Sequence, residues 1–189
     1  MLDSSIEREQ KDGYEFERFD LSGRGWEKAA LLIDPIERDA FGHKGFELKD
    51  LGESLQQPKA VLIVAKSGDQ VVGFTYAVPY SFMKDEVTQV DREDNGEKTA
   101  YVYDTAITKL HQGKKITPRM MERLLLELGS EGYEYLERDA DVDSGYADQI
   151  QNAYDQRGLI LQAGPDLDYN WGKQRFFRMK VPQIDGLQK

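Results

Sequence analysis

Apolar residues alternate with polar ones in some windows of this chain and recur at three- and four-residue steps in others. These two periods divide it into strands and helices. Tyr14-Glu-Phe-Glu-Arg-Phe-Asp20 alternates and predicts a half-buried first strand. After the turn Leu21-Ser-Gly-Arg-Gly25, the residues Trp26, Ala29, Ala30, Ile33, Ile36 and Phe41 keep helical spacing. Pro35 is expected to break or kink that helix, because it removes one N–H from the ladder. Beyond the loop Gly42-His-Lys-Gly45, Phe46 to Leu55 predicts a shorter helix closed by Gln56-Gln-Pro58. Ala60-Val-Leu-Ile-Val-Ala65 is continuously apolar, as in a central strand covered on both faces. Val71 to Val78 returns it as a hairpin around Ser67-Gly-Asp-Gln70.

Residues 84–98 are strongly acidic and predict an exposed loop that would form part of an acceptor mouth. Residues 101–108 are aromatic and β-branched, the composition of a pleated strand. Thr117 then offers an N-cap hydroxyl, Pro118 suits the first helical position, and Met120, Met121, Leu124, Leu125 and Leu128 form a core stripe ending at Gly129. Tyr133 to Arg138 alternates as another strand, and Asp139-Ala-Asp-Val-Asp-Ser-Gly145 reads as a turn with Ser144 as the next cap. Tyr146, Ala147, Ile150, Ala153 and Tyr154 line a helix that Gly158 ends. A final hairpin joins Leu159–Ala163 to Gln174–Val181 around the loop 164–172. The order is β-α-α-β-β-β-α-β-α-β-β. It defines an α/β fold with a mixed sheet of about six to seven strands flanked by about four helices.

Composition narrows the classes. The chain has 189 residues, 32% charged and 39% hydrophobic, with eight Phe, ten Tyr and two Trp, which suits one folded domain. We expect a flexible N-terminal segment over residues 1–13, the domain over 14–182 and a C-terminal tail over 183–189. With no cysteine, a thiolate metal site and a thiol nucleophile are both ruled out. No apolar run reaches 18 residues and the N-terminus is too polar for a signal peptide, so we expect a cytoplasmic protein without a membrane partner. A net charge of -10 weighs against nucleic acid and favours a cationic partner. Against that acidic background Lys109, His111, Lys114, Lys115 and Arg119 cluster between a strand and a helix start, where backbone N–H groups and the helix dipole favour an anion. The Asp139-Ala-Asp-Val-Asp143 run is no EF-hand, because Ser144 and Ile150 stand where Gly and Glu are required. His43 and His111, the only histidines, read as surface residues, and Trp26, Met120 and Met121 as core.

The element order resembles the GCN5-related N-acetyltransferase (GNAT) superfamily over about residues 14 to 181, and four segments match in register. Ser67-Gly-Asp-Gln-Val-Val-Gly-Phe74 is similar to the family's hairpin turn and third strand. Asp104-Thr-Ala-Ile-Thr108 is similar to its fourth strand, and Gln112-Gly-Lys-Lys-Ile-Thr117 stands at its pyrophosphate loop. Ala153-Tyr-Asp-Gln-Arg-Gly-Leu159 resembles the segment after its fourth helix. The resemblance implies acetyl-CoA, or another acyl-CoA, as co-substrate, with direct transfer to a small cationic amine or a protein amine in a ternary complex and no metal. It also implies binding by the fourth-strand residues Ala106, Ile107 and Thr108 and by the loop residues Gln112, Gly113, Lys114, Lys115, Ile116 and Thr117.

In this family Tyr154 matches the tyrosine that protonates the leaving thiolate, and a phenol of ordinary pKa near 10 suits a thiolate of similar basicity. The bland alternative is a ring packed on the sheet with its hydroxyl outward. Asp104 stands where many members place an acid facing the acceptor amine; a charged edge residue without catalytic duty is the alternative. Pleat alternation predicts that Asp104 and Tyr103 cannot both face the acceptor. Lys115 and Thr117 replace the family's two small residues, and Ala147 falls where it has an Asn. A non-catalytic binding or regulatory module of the same fold therefore stays open, as does another phosphate-bearing ligand on an unrelated scaffold. The final hairpin of such folds often pairs with a neighbour, which leaves a homodimer open. The acceptor's identity and the acyl-chain preference are not legible.

Overall fold

The apolar run 60–65 becomes a fully buried strand, with Val61 through Ala65 at 0% exposure. The computed structural model describes residues 13–83, 97–169 and 172–183. The expected acidic loop at 84–98 and the expected flexible segment and tail fall almost wholly outside these. The described elements are β1 (Tyr14–Arg18), α1 (Gly25–Phe41), α2 (Leu48–Leu55), β2 (Val61–Ser67), β3 (Gln70–Pro79), α3 (Tyr80–Met83), β4 (Thr99–Ile107), α4 (Ile116–Ser130), β5 (Tyr135–Asp141), α5 (Tyr146–Asp155), β6 (Ile160–Tyr169) and β7 (Gly172–Lys180). The sheet is mixed, in the order β1-β2-β3-β4-β5-β7-β6. The expected order of strands and helices holds, with the short α3 added.

Two compact units divide the chain: residues 1–78 with 103–127, and residues 79–102 with 128–189. In the first unit, β1 and β2 pair antiparallel, as do β2 and β3. Gly73 lets β3 approach β4 closely, since a Cβ there would lie 3.1 Å from both the Ala106 carbonyl oxygen and the Ile107 side chain. Trp26 is half-buried and its ring lies against Gly52 of α2. Helix α1 runs through Pro35 unbroken. The residue four before it, Leu31, lies on the exposed face at 64% exposure, where water can satisfy the freed carbonyl.

In the second unit, β4 and β5 pair in parallel from Thr99↔Tyr135 to Tyr101↔Glu137, and β7 pairs antiparallel with both β5 and β6. Strand β5 continues through Asp141, so Asp139 and Asp141 belong to a strand and not to the expected turn. Their main chains are paired to Phe176 and Gln174 of β7. Gly145, at φ 77, holds the position before α5, and Ser144, one residue earlier, accepts the N–H of Tyr146 through Oγ at 3.4 Å while its own N–H donates to Asp141 at 2.6 Å. Strand β6 likewise absorbs most of the expected loop 164–172, with register shifts between Ile160 and Gln162 and between Ala163 and Asp166 that accommodate Gly164 and Pro165.

Helix α4 begins at Ile116, so Pro118 is its third residue, and Gly129 lies inside it. Its stop is Gly132 at φ 86: the Gly132 N–H donates to the Gly129 carbonyl and the Tyr133 N–H to the Leu128 carbonyl, a Schellman motif. Helix α5 ends the same way at Gly158, the stop the sequence predicted.

Candidate functional site

The loop that the sequence marks for an anion leaves β4 through a 3-10 turn over Lys109–His111 and enters α4. The Thr108 N–H donates to the Val72 carbonyl at 2.9 Å, so its main chain faces β3, and by the strand's alternation that of Ala106 does too. Of the three candidate strand residues, Ile107 alone turns its main chain the other way, and its carbonyl accepts the side-chain amide of Gln112 at 3.1 Å. Residues 112–115 are exposed, while Ile116 is 1% exposed and anchors the start of the helix. Gly113 and Lys115 both take left-handed backbone, at φ 76 and 58. Lys115 thus adopts the conformation that favours glycine, at a cost of about 1 kcal/mol.

The loop is held from below by β1. The Tyr14 hydroxyl and His111 Nδ1 are hydrogen-bonded at 2.8 Å, and the Arg119 guanidinium lies 4.5 Å from the Phe16 ring centroid. His111 is therefore a tethered, half-buried residue and not the surface residue expected of it. Asp39 accepts the Lys109 N–H at 2.6 Å. Lys109, Lys114 and Lys115 present their charge outward.

A second constellation in the same unit gathers around Asp104, which is 9% exposed. Its Oδ1 accepts the N–H of Thr105 at 2.6 Å, a bond onto the strand's own side chain. The rings of Phe46, Tyr103 and Tyr76 form a chain, with centroids 4.9 Å apart for the first pair and 5.4 Å for the second. The hydroxyls of Tyr76 and Ser54 are hydrogen-bonded at 2.8 Å. Burial chiefly pushes the Tyr76 phenol well above its ordinary value, and negative charge on Asp104, Tyr103 and Glu37 adds to the rise. Of the two neighbours on β4, Tyr103 is the one whose ring meets Tyr76. Glu37, which sequence reasoning missed, is 1% exposed and accepts the Phe46 N–H through Oε1 at 2.9 Å. Its signal was legible: it stands four residues after Ile33 and seven after Ala30, on the apolar stripe of α1.

Tyr154 lies in the second unit. It is 4% exposed with its hydroxyl oxygen enclosed, so the ring-packed, hydroxyl-outward alternative does not hold. Its carbonyl accepts the Leu159 N–H at 3.1 Å, part of the stop at Gly158. Ala147, at the position of the family's Asn, is fully buried. In the same unit the Tyr101 hydroxyl donates to Asp139 at 2.6 Å. Burial raises the Asp139 pKa despite that bond and the nearby Arg138. The structure gathers Asp104 and the loop residues into the first unit and leaves Tyr154 on an element of the second. An open cleft of about 430 Å³ at the start of α1, bordered by Arg18, Arg24 and Lys28, contains none of the predicted site residues. Among the described residues, no group of three or more His, Asp or Glu could hold a metal ion, and no helix is long and apolar enough to cross a membrane.

Residues 26–158 match the model of the Acetyltransferase (GNAT) family. That is more than two thirds of the chain, so it belongs to this family of N-acetyltransferases. The fold is shared with solved structures of low identity. The ribosomal-protein-S18-alanine N-acetyltransferase from Escherichia coli superposes with a TM-score of 0.61 at 12% identity, covering 93% of this chain and 98% of its own. The yncA structure from Salmonella typhimurium, with its cofactor acetyl-CoA, gives 0.62 at 13% identity over 93% and 98%. The diaminobutyrate acetyltransferase EctA from Paenibacillus lautus, in complex with L-2,4-diaminobutyric acid and coenzyme A, gives 0.61 at 11% identity over 89% and 95%. No curated protein sequence matches the chain.

Proposed function

We propose that this acetyltransferase moves the acetyl group of acetyl-CoA, or a related acyl-CoA, directly to an amine in a ternary complex, the acceptor being a small cationic amine or a protein amine. The observation that carries the reading is the loop into α4. Gly113 and Lys115 turn it through two left-handed residues, nothing lies within 4 Å of where a Gly113 Cβ would be, and it opens on a helix of 15 residues. Such a loop suits a pyrophosphate, which would meet the backbone of Gln112, Gly113, Lys114 and Lys115 and the free N–H groups of Ile116 and Thr117. Lys114 and Lys115 would add charge, and Pro118 withholds one donor. Ala106, Ile107 and Thr108 would border the pantetheine arm, with Ile107 offering its main-chain N–H, since its carbonyl already accepts the Gln112 amide.

When bound, acetyl-CoA supplies a thioester activated for acyl transfer. The acceptor amine must lose its protons, and in this reading Asp104 would take one directly or through water. The departing thiolate needs a proton, which Tyr154 would donate. The absence of cysteine excludes acyl transfer through a thiol of the enzyme. Acceptors of both proposed kinds occur among proteins of this fold, from a ribosomal protein's alanine to diaminobutyric acid. The proposal includes a cytoplasmic location, in keeping with a chain without cysteine. It also includes a homodimer built on β6, the last strand of the sheet order.

Lys115 and Thr117, at positions the family fills with small residues, favour a second reading: a module of this fold that binds or senses CoA, or has lost it, without turnover. Calorimetry with acetyl-CoA followed by an amine screen separates the two. Acetyl-CoA binding together with turnover supports the enzyme, whereas no binding at millimolar concentration supports the module. In Tyr154→Phe we expect turnover to fall by about 10²-fold or more with acetyl-CoA binding retained. Unchanged turnover would remove Tyr154 from the mechanism.

A further inference from the structure

Thr75 has no part in the chemistry proposed above, yet it is a polar side chain at 0% exposure within β3. A packing duty there would be met by valine, which brings no hydroxyl to desolvate. The Thr75 Oγ1 lies 2.7 Å from the Thr105 hydroxyl and 3.4 Å from the Asp104 carbonyl oxygen, both on β4, and 3.7 Å from the Met121 sulfur of α4. The next residue, Tyr76, faces the other way, with its hydroxyl on Ser54 of α2 and its ring 5.4 Å from that of Tyr103. Thr105 therefore shares the α4 face with Thr75, and Tyr103 shares the α2 face with Tyr76. In a regular strand, residues two apart lie on one face. Strand β4 thus turns its side chains over between Tyr103 and Thr105, as at a β-bulge. Beyond that point alternation resumes. A Cβ on Gly73, two residues before Thr75, would lie 3.1 Å from the Ile107 side chain, which places Ile107 on the face of Thr105. Asp104 marks the same break, since its Oδ1 accepts the Thr105 N–H at 2.6 Å.

The change of face decides which main-chain groups β4 offers. For L-residues in a strand of given direction, the face a side chain takes also fixes the side to which its own N–H and C=O point. In an unbroken strand Ile107 would lie with Tyr103 on the α2 face, and its main chain would point at β3. With the break it points away from β3, where its N–H can meet a ligand. We propose that Thr75 is a positioning residue for the acyl-CoA substrate: its hydroxyl locks Thr105, and so holds the break that presents the Ile107 N–H to the pantetheine arm. This rests on the acetyltransferase reading. Thr75 touches no substrate and acts through β4.

The experiment is calorimetric titration of acetyl-CoA into the wild type, Thr75→Val, Thr75→Ser and Thr105→Val, with a melting curve for each. Valine keeps the shape of threonine and removes the hydroxyl, whereas serine keeps the hydroxyl. Without the lock β4 samples the unbroken register, and apparent affinity falls with the competent fraction. Thr75→Val should therefore bind acetyl-CoA at least about 5-fold more weakly than the wild type. Thr75→Ser should stay within about 3-fold of the wild type, because the bond is kept. Thr105→Val removes the same bond from the other side, so it should match Thr75→Val, and the double variant should be no weaker than either. A hydroxyl with a merely structural role would lower Tm in Thr75→Val and leave the affinity of the folded protein unchanged, which overturns the proposal. So does wild-type affinity in Thr105→Val, and that variant decides if Thr75→Val fails to fold. A wild type that binds no acetyl-CoA defeats this proposal and the acetyltransferase reading together. A wild type that binds and turns over acetyl-CoA, beside variants of equal affinity, defeats this one alone.

Discussion

Asp139 and Tyr101 form a part-buried acid–phenol pair whose protonation bears on stability. Burial raises the Asp139 pKa above the ordinary carboxylate value, outweighing the hydrogen bond from Tyr101 and the charge of Arg138. The fold therefore favours the neutral carboxyl. The stability this group contributes is complete below its unfolded pKa and is lost as pH rises through its higher folded value. Asparagine mimics the neutral form and keeps an oxygen for the Tyr101 hydroxyl. We expect Asp139→Asn to raise Tm by about 2–4 °C at pH 7, with the difference vanishing as pH falls below 4. A melting curve at each pH decides it, and a loss at pH 7 would show that the bond outweighs burial. At this scale the sequence was partly legible. Tyr154, Asp104 and the loop were singled out by matching short segments, and Glu37 was readable as an acidic residue on an apolar stripe. The wall of Phe46, Tyr76 and Tyr103 was not, because its rings come from separate elements and meet only through tertiary packing. Nor does sequence show that Lys115 takes a left-handed backbone, which depends on where Ile116 is buried.

At the level of elements, apolar periodicity located the strands and the four longer helices but misjudged several ends. Strand β5 continues into an acidic run because β7 pairs with it, and β6 continues past Pro165 with irregular register. Both outcomes depend on a partner strand that local composition does not reveal. Gly129 is the clearest case. It resembles a helix stop, yet α4 passes through it and ends at Ser130. The reason is contact: a Cβ on Gly129 would fall 2.5 Å from the Pro182 carbonyl oxygen, and the adjacent Val181 N–H is held by the Glu134 carbonyl at 2.9 Å. Helix propensity alone predicts that Gly129→Ala stabilises by up to about 1 kcal/mol. The contact predicts the reverse, a net loss of about 1–3 kcal/mol, because backbone and not a flexible side chain must give way. Urea unfolding of the variant distinguishes these, and a raised midpoint would mean that the 181–183 segment yields freely.

For the whole molecule, the order of elements was the most legible property, since each periodic segment is long enough to identify without its neighbours. Charge distribution was legible too, and it has a kinetic consequence. The net charge of -10 attracts a cationic acceptor at long range, and a field of this kind is screened over about 10 Å at 0.1 M salt. Acetyl-CoA, an anion, meets two opposed effects: repulsion by the net charge and attraction by the exposed Lys109, Lys114 and Lys115 at the loop. We therefore expect kcat/KM for a cationic acceptor to fall several-fold, on the order of 3- to 10-fold, as sodium chloride rises from about 0.05 to 0.5 M. The corresponding value for acetyl-CoA should change less, because screening weakens the repulsion and the attraction together. Steady-state kinetics with each substrate varied in turn, at a fixed saturating level of the other, gives both slopes. If the amine's slope is no steeper than that of acetyl-CoA, then net charge does not steer the acceptor, and its recognition rests on short-range contacts alone.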